Sequence, residues 1–234
     1  MAVKPEMHEF PPLIPEELME RARKLSPANL CDGMKDIGIL NDGCMDYGIG
    51  PVSDEMKFWG TACTVETTDG DNFPIHVALY AAKPGYVMVV DGKNDRHRGY
   101  FGDNMMTTGK VIGLEAMVVD GCVRDKEGCK ELGFPVFSRG YIQRGPTKNL
   151  PGVINAPINC GGITVKPGDL VVGDADGISV VPRERLEEVL EKAEAKLVYD
   201  NNRKAVCEEY ARQKAAGEPT LDLAPAWVHE ILGD

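Results

Sequence analysis

Apolar positions recur along the chain with two alternating periods. Leu18, Met19, Ala22 and Leu25 share one helical face behind Pro15, a favourable first helical residue. Ser26-Pro27 restarts the pattern as N-cap and first helical residue, and Leu30, Met34 and Ile37 repeat at helical spacing until Gly38. Residues 39–60 are rich in Gly and Asp and predict a loop with a short strand, whereas residues 61–67 alternate and are β-prone. Asp71-Asn72 and Pro74 open a helix carrying Ile75, Leu79 and Ala82. After the turn Lys83-Pro84-Gly85, the continuous apolar run 87–90 predicts a buried strand. A helix over 104–113, a buried strand over 116–119, a helix over 125–132 and a strand over 135–138 follow. Three closely spaced strands are expected at 163–165, 170–173 and 178–181. The last helix starts near Pro182-Arg183, carries Leu186, Val189, Leu190, Ala193 and Leu197 as its apolar stripe, and continues to about Ala216. That length outruns one core, so its end is expected to pack on another subunit. Lys83-Pro84-Gly85 with its strand echoes Lys166-Pro167-Gly168 with its own, two similar turn–strand units too short to form a repeat architecture.

Composition narrows the function classes. The 234 residues carry 26 Lys+Arg against 37 Asp+Glu, a net charge of −11, which disfavours nucleic acid and anionic membrane as partners because both need clustered positive charge. No apolar run is long enough to span a bilayer, and the Pro-rich start reads as an extended docking arm without the apolar core of a secretory signal. Seven cysteines, at 31, 44, 63, 122, 129, 160 and 207, form no C-x-x-C pair; this odd, scattered set predicts reduced core thiols in a cytoplasmic protein, with neither a disulfide framework nor a zinc cluster. His8, His76 and His229 have no partner at metal-ligand spacing, and no glycine-rich phosphate loop follows a strand.

The candidate chemistry lies between Gly99 and Asp125. Gly102-Asp103-Asn104-Met105 precedes a predicted helix, where backbone N–H groups and a close-approach glycine make a cradle for a carboxylate. A buried strand ends at Val123 and delivers Arg124-Asp125 into a turn. Arg124 offers a permanently charged fork for a carboxylate or enolate, and Asp125 a hard oxygen ligand for a divalent cation. Plainer readings stand beside these: Asp103 or Asp125 as N-caps, and Arg124 paired with Asp120 or Asp103.

The order Gly99-x3-Asp103-x20-Arg124-Asp125 matches the G-x3-[D/E]-x20-R-D signature of the class II 4-hydroxy-4-methyl-2-oxoglutarate / 4-carboxy-4-hydroxy-2-oxoadipate aldolases. These sit within the wider family of the regulator of RNase E activity A. Gly133-Phe134-Pro135-Val136-Phe137-Ser138-Arg139-Gly140, Cys160-Gly161-Gly162 and Gly173-Asp174-Ala175-Asp176-Gly177 also resemble that family. The resemblance implies a compact α/β/β swivelling-type sandwich with a long C-terminal helix, assembled as a homotrimer or homohexamer. It implies cleavage of a 4-hydroxy-2-oxo di- or tricarboxylic acid to pyruvate and a second 2-oxo acid, with oxaloacetate decarboxylation as a side activity. By the same resemblance, Asp125 is the direct ligand of Mg²⁺ or Mn²⁺, and Asp103 holds a water of that ion. Arg124 contacts the substrate oxygen and the pyruvate enolate. Gly102, Asp103 and the backbone N–H groups of Asn104 and Met105 hold the carboxylate.

The sequence departs from the family pattern in the charge-dense run Asn94-Asp95-Arg96-His97-Arg98 and in Phe101, where relatives place a Trp. Arg96, His97 or Arg98 either touches the distal end of a dicarboxylate or belongs to a solvated loop. Glu208 and Glu209 are candidates for a carboxylate lent to a neighbouring subunit. Lys110 is a surface residue in this reading and no Schiff-base lysine. The organisation expected is an arm and first helix over 1–25, a catalytic α/β domain over 26–196, and a helical tail over 197–234. A ribonuclease-binding regulator without catalysis is the competing function; relatives of that kind lack an Asp after the Arg, and Asp125 is present.

Overall fold

The structure, a computed structural model, describes residues 4–233. It divides into two compact units, one running to Ala193 and one from Glu194. In chain order the strands are β1 (Glu6–Met7), β2 (Gly50–Pro51), β3 (Phe58–Glu66), β4 (Tyr86–Gly99), β5 (Ala116–Val123), β6 (Val136–Ser138), β7 (Gly140–Tyr141), β8 (Val153–Ile154), β9 (Ile158–Cys160), β10 (Ile163–Val165), β11 (Leu170–Asp174) and β12 (Gly177–Val181). The helices are α1 (Glu16–Ala22), α2 (Pro27–Asp36), α3 (Phe73–Ala81), α4 (Asp103–Ile112), α5 (Lys126–Leu132), α6 (Leu186–Ala216) and α7 (Ala226–Leu232).

The main sheet runs β1-β8-β3-β4-β5-β6-β2, with β11 and β12 continuing from β3 and β7 beside β5. Its centre is parallel: β3, β4, β5 and β6 are linked through α3, α4 and α5. Such a sheet buries both faces, which explains the unbroken apolar runs at 87–90 and 116–119, all fully buried. Along β5 the faces alternate. Met117 packs towards Gly109 of α4, whereas Asp120 accepts a hydrogen bond from Gly161 N at 2.8 Å, beside the β9–β10 hairpin. The unit is therefore layered as helices, sheet and a small second sheet, the α/β/β arrangement. The two echoed turns flank one residue: Tyr86 of β4 and Leu170 of β11 both pair with Thr61, on opposite sides of β3.

Ser26 caps α2 as expected, accepting from Asn29 N at 3.2 Å, with Pro27 at the first helical position. The first helix is shorter than its periodicity predicts. It stops at Ala22, and Leu25 is buried from the following turn. The segment 39–60 holds a 3-10 turn (Leu40–Gly43), and β3 begins at Phe58 rather than at 61. The strand expected at 87–90 extends to Gly99 with two register shifts, so residues 91–98 are an excursion of β4 and no free loop. Buried Tyr100 fastens it: its hydroxyl donates to Gly92 O at 2.7 Å and accepts from Gly70 N at 3.0 Å. In α6 the buried residues are Leu186, Val189, Leu190 and Ala193. In the second unit Val198, Tyr199, Trp227 and Ile231 are exposed. No helix among the described residues is long and apolar enough to cross a membrane.

Candidate active site

The two segments singled out by the sequence leave the sheet side by side. The chain exits β4 at Gly99 into α4, and exits the neighbouring parallel β5 at Val123 into α5. Ligands of parallel α/β sheets gather at such carboxyl ends. Backbone hydrogen bonds lace the exits together: Tyr100 N donates to Cys122 O at 2.9 Å and Arg124 N to Phe101 O at 3.1 Å. Gly99 N donates to Arg144 O at 2.8 Å, which brings in the segment after β7.

Two glycines make room for the charged groups. Gly102 has an extended backbone that any residue adopts, so its requirement is space. A Cβ there would lie 2.9 Å from Arg124 Cγ and overlap Asp125 Oδ2 outright. A Cβ on Gly128 would meet Asp103 Cβ at 3.1 Å and Oδ2 at 3.2 Å. Asp103 and Asp125 thus reach into spaces that side chains would otherwise fill.

Asp125 itself is strained. Its φ of 59° and ψ of 49° are left-handed, a conformation costing a non-glycine residue on the order of 1 kcal/mol. It occupies the N-cap position of α5, yet its side chain caps nothing; Oδ2 accepts from Arg124 Nε at 3.1 Å instead. The plain N-cap reading of Asp125 therefore does not hold. Nor does Arg124 pair with Asp120, whose Oδ1 is bound by the buried Arg139 guanidinium. Asp103 is the first residue of α4, one past the N-cap Gly102, and its Oδ1 accepts from the adjacent Asn104 N at 2.7 Å.

Gly102, Asp103, Asn104, Met105, Arg124 and Asp125 all line one cavity of about 230 Å³. The same cavity has a second wall that the sequence reading missed, made by Asn72 and His76 of the α3 region and by Gly145, Pro146 and Lys148. Asn72 is 2% exposed; its Nδ2 donates to Tyr100 O at 2.7 Å, while its Oδ1 and the Nε2 of His76 are buried without a partner. Burial, with the positive charge of Lys148 beside it, holds the His76 imidazole below its usual pKa. Burial first, and then the carboxylates of Asp125 and Asp103, push the Cys129 thiol up to about 11. Its Sγ donates to Arg124 O at 3.2 Å. Arg96, His97 and Arg98 do not line the cavity; Arg98 instead donates to Gly145 O at 2.8 Å and supports the second wall from behind. Lys110 donates to Leu132 O at 2.7 Å and closes the end of α5. Glu209 pairs with Arg212 within α6.

The donor set suits a hard cation. Asp125 and Asp103 offer carboxylate oxygens in spaces that glycines keep open, and no group of three or more His, Cys, Asp and Glu is placed to hold a metal among the described residues. An ion content with one or two carboxylates and waters, as Mg²⁺ is, fits this set.

Comparison with known proteins bears on the fold and the family. A family model described as RraA-like, Aldolase/RraA, matches residues 27–180. A protein of Halalkalibacterium halodurans that carries the provisional name 4-hydroxy-4-methyl-2-oxoglutarate aldolase is 43% identical over 155 residues, 66% of this chain and 74% of its own. The crystal structure of RraAS2 from Streptomyces coelicolor, described as an unusual member of the RNase ES inhibitor RraA protein family, superposes with a TM-score of 0.74 at 27% identity. It covers 82% of this chain and 98% of the other. An uncharacterised Pseudomonas syringae protein shares the fold at 24% identity, with a TM-score of 0.73 over 89% of this chain and 97% of its own.

Proposed function

The chain belongs to the RraA-like, Aldolase/RraA family, and on that premise we propose that it is a divalent-metal-dependent pyruvate aldolase. Its substrate is a 4-hydroxy-2-oxo di- or tricarboxylic acid. The reaction breaks the C3–C4 bond and leaves the electron pair on C3, conjugated with the C2 carbonyl as the pyruvate enolate. The C4 hydroxyl loses its proton as C4 becomes the carbonyl of a second 2-oxo acid, and C3 then takes a proton to give pyruvate. Loss of CO₂ from oxaloacetate leads to the same enolate and is the expected side activity. The observation that carries the reading is the meeting of Arg124, a strained and non-capping Asp125 and the start of α4 in one cavity.

Each group has a task that follows from its chemistry. Arg124, always charged, faces the oxygen on which enolate charge develops, in a position set by the β5 exit. The first turn of α4, from Gly102 to Met105, receives the carboxylate next to the 2-oxo group, with the helix dipole in favour. For that, the Asp103 carboxylate has to yield the Asn104 N–H it now holds. Asp125 would ligate Mg²⁺ or Mn²⁺, and Asp103 would hold one of that ion's waters. When bound, the ion supplies electrophilic stabilisation of the 2-oxo oxygen.

The seven thiols are all free, in keeping with the cytoplasmic setting we propose. Exposed Val198, Tyr199, Trp227 and Ile231 support assembly into a homotrimer or homohexamer through the second unit. The test of function is pyruvate release, followed with lactate dehydrogenase, from branched 4-hydroxy-2-oxo diacids and from oxaloacetate. Turnover with Mg²⁺ that EDTA abolishes is expected. Protein that turns over neither class in Mg²⁺ refutes the aldolase reading.

A further inference from the structure

The second wall of the cavity asks for a ligand of its own. Asn72 is buried, and its amide spends both donors on Tyr100 O and Met105 Sδ, leaving Oδ1 as an acceptor with nothing to accept from. His76 Nε2 is likewise buried and unpaired. Lys148, exposed at the rim, has no ion-pair or hydrogen-bond partner among the described residues. Buried polar atoms are normally satisfied, so two orphans beside an unpaired cation in one cavity mark a place where polar groups from outside complete the bonding.

The Lys148 position is built rather than incidental. Asp71, fully buried, gathers the loop that carries it: Oδ2 accepts from Thr147 Oγ1 at 2.7 Å, Asn149 N at 2.9 Å and Leu150 N at 3.2 Å, and Oδ1 from Phe73 N at 2.9 Å. The backbone adds Asn72 N to Thr147 O at 3.0 Å and Thr147 N to Gly70 O at 2.8 Å. Arg98 holds Gly145 O from the other side. One buried carboxylate thus ties residues 147–150 to the start of α3 and sets Lys148 next to His76.

We infer that Asn72, His76 and Lys148 form the subsite for the part of the substrate that leaves as the second 2-oxo acid, with Asp71 as its positioning residue. Lys148 pairs with the distal carboxylate. The Asn72 carbonyl accepts from the hydroxyl that becomes the new carbonyl, and His76 Nε2 supplies the adjoining hydrogen bond. Pyruvate, which ends at the scissile bond, does not reach the subsite. This inference rests on the aldolase reading above.

The test compares two reactions of the full-length protein in Mg²⁺. One is cleavage of a 4-hydroxy-2-oxo diacid; the other is exchange of the pyruvate methyl protons with deuterated water, which needs only enolate formation. For Lys148→Met, the ratio of kcat/KM for cleavage to that for exchange is expected to fall about tenfold or more, mainly through KM, as for a lost uniform binding contact. Lys148→Arg is expected to restore most of the ratio, and Asp71→Asn to lower it in the direction of Lys148→Met. An unchanged ratio in Lys148→Met, in protein that catalyses both reactions, overturns the subsite alone. Wild-type protein that catalyses neither overturns the aldolase reading and the subsite with it.

Discussion

Replacing Gly102 by Ala isolates the space that the candidate site needs. The added methyl would lie 2.9 Å from Arg124 Cγ and nearer still to Asp125 Oδ2. Carbon contacts prefer about 3.5–4.0 Å, so the Arg124–Asp125 pair has to move by roughly 1 Å. The backbone does not object, because Gly102 has an ordinary extended conformation. The folding cost is then chiefly the exchange of Gly for Ala at an N-cap, about 0.5–1 kcal/mol. In a unit of this size that lowers Tm by about 1–4 °C. Activity should suffer far more. A 1 Å misplacement of catalytic groups costs about 100-fold, or roughly 2.7 kcal/mol of transition-state stabilisation. Pyruvate release from a hydroxy-oxo diacid in Mg²⁺, with a thermal melt of the same sample, reads both quantities. A variant that melts near the wild-type temperature and keeps its kcat/KM within a few-fold would show that the groups packed against Gly102 are not the reacting ones.

Other expectations follow from the same geometry. Asp125→Ala should abolish metal-dependent turnover while leaving the melt close to wild type, since the Asp125 side chain caps no helix; an unchanged rate removes Asp125 from the site. Acid should loosen the loop held by Asp71. Burial alone would raise the Asp71 pKa, but hydrogen bonds from Asn149 N, Thr147, Phe73 N and Leu150 N hold it below the usual carboxylate range. A depressed pKa gives stability that is full above the unfolded value near 3.9 and lost as pH falls through the folded value. The stability gap between wild type and Asp71→Asn, about 2 kcal/mol at pH 7, should therefore narrow below about pH 4 in urea titrations; a gap independent of pH contradicts this. Borohydride added with pyruvate should leave the protein mass unchanged, because Lys110 is spent on Leu132 O; a trapped adduct at Lys110 would point to Schiff-base chemistry.

What the sequence made legible was local or periodic. The buried runs at 87–90 and 116–119 announce central parallel strands because nothing polar interrupts them. Ser26-Pro27 announces a helix start because capping is a contact between residues three apart. The extension of β4 through residues 91–99 was hidden. Its charged residues carry no strand period, and it is held by Tyr100 hydroxyl contacts to Gly92 and Gly70. The second wall was hidden for the same reason. Lys148 reaches the cavity because Asp71, more than seventy residues earlier, binds its loop. The N-cap role of Asp125 was equally hidden, since the turn conformation decides that its carboxylate leaves the helix for Arg124. The net charge of −11 gains meaning here. An acidic protein cannot draw an anionic substrate by its overall field, so attraction rests on Arg124, Lys148, the start of α4 and a cation at Asp125.

On this mechanism the cavity stabilises a pyruvate enolate with the aid of a divalent cation. Deuterium incorporation into the pyruvate methyl group, followed by proton NMR in deuterated water, tests it without any assumption about the physiological substrate. Exchange is expected with wild-type protein and Mg²⁺, and its loss on adding EDTA or in Asp125→Ala. Exchange that persists in EDTA and in Asp125→Ala, or no exchange by folded wild-type protein with Mg²⁺ or Mn²⁺, would contradict it.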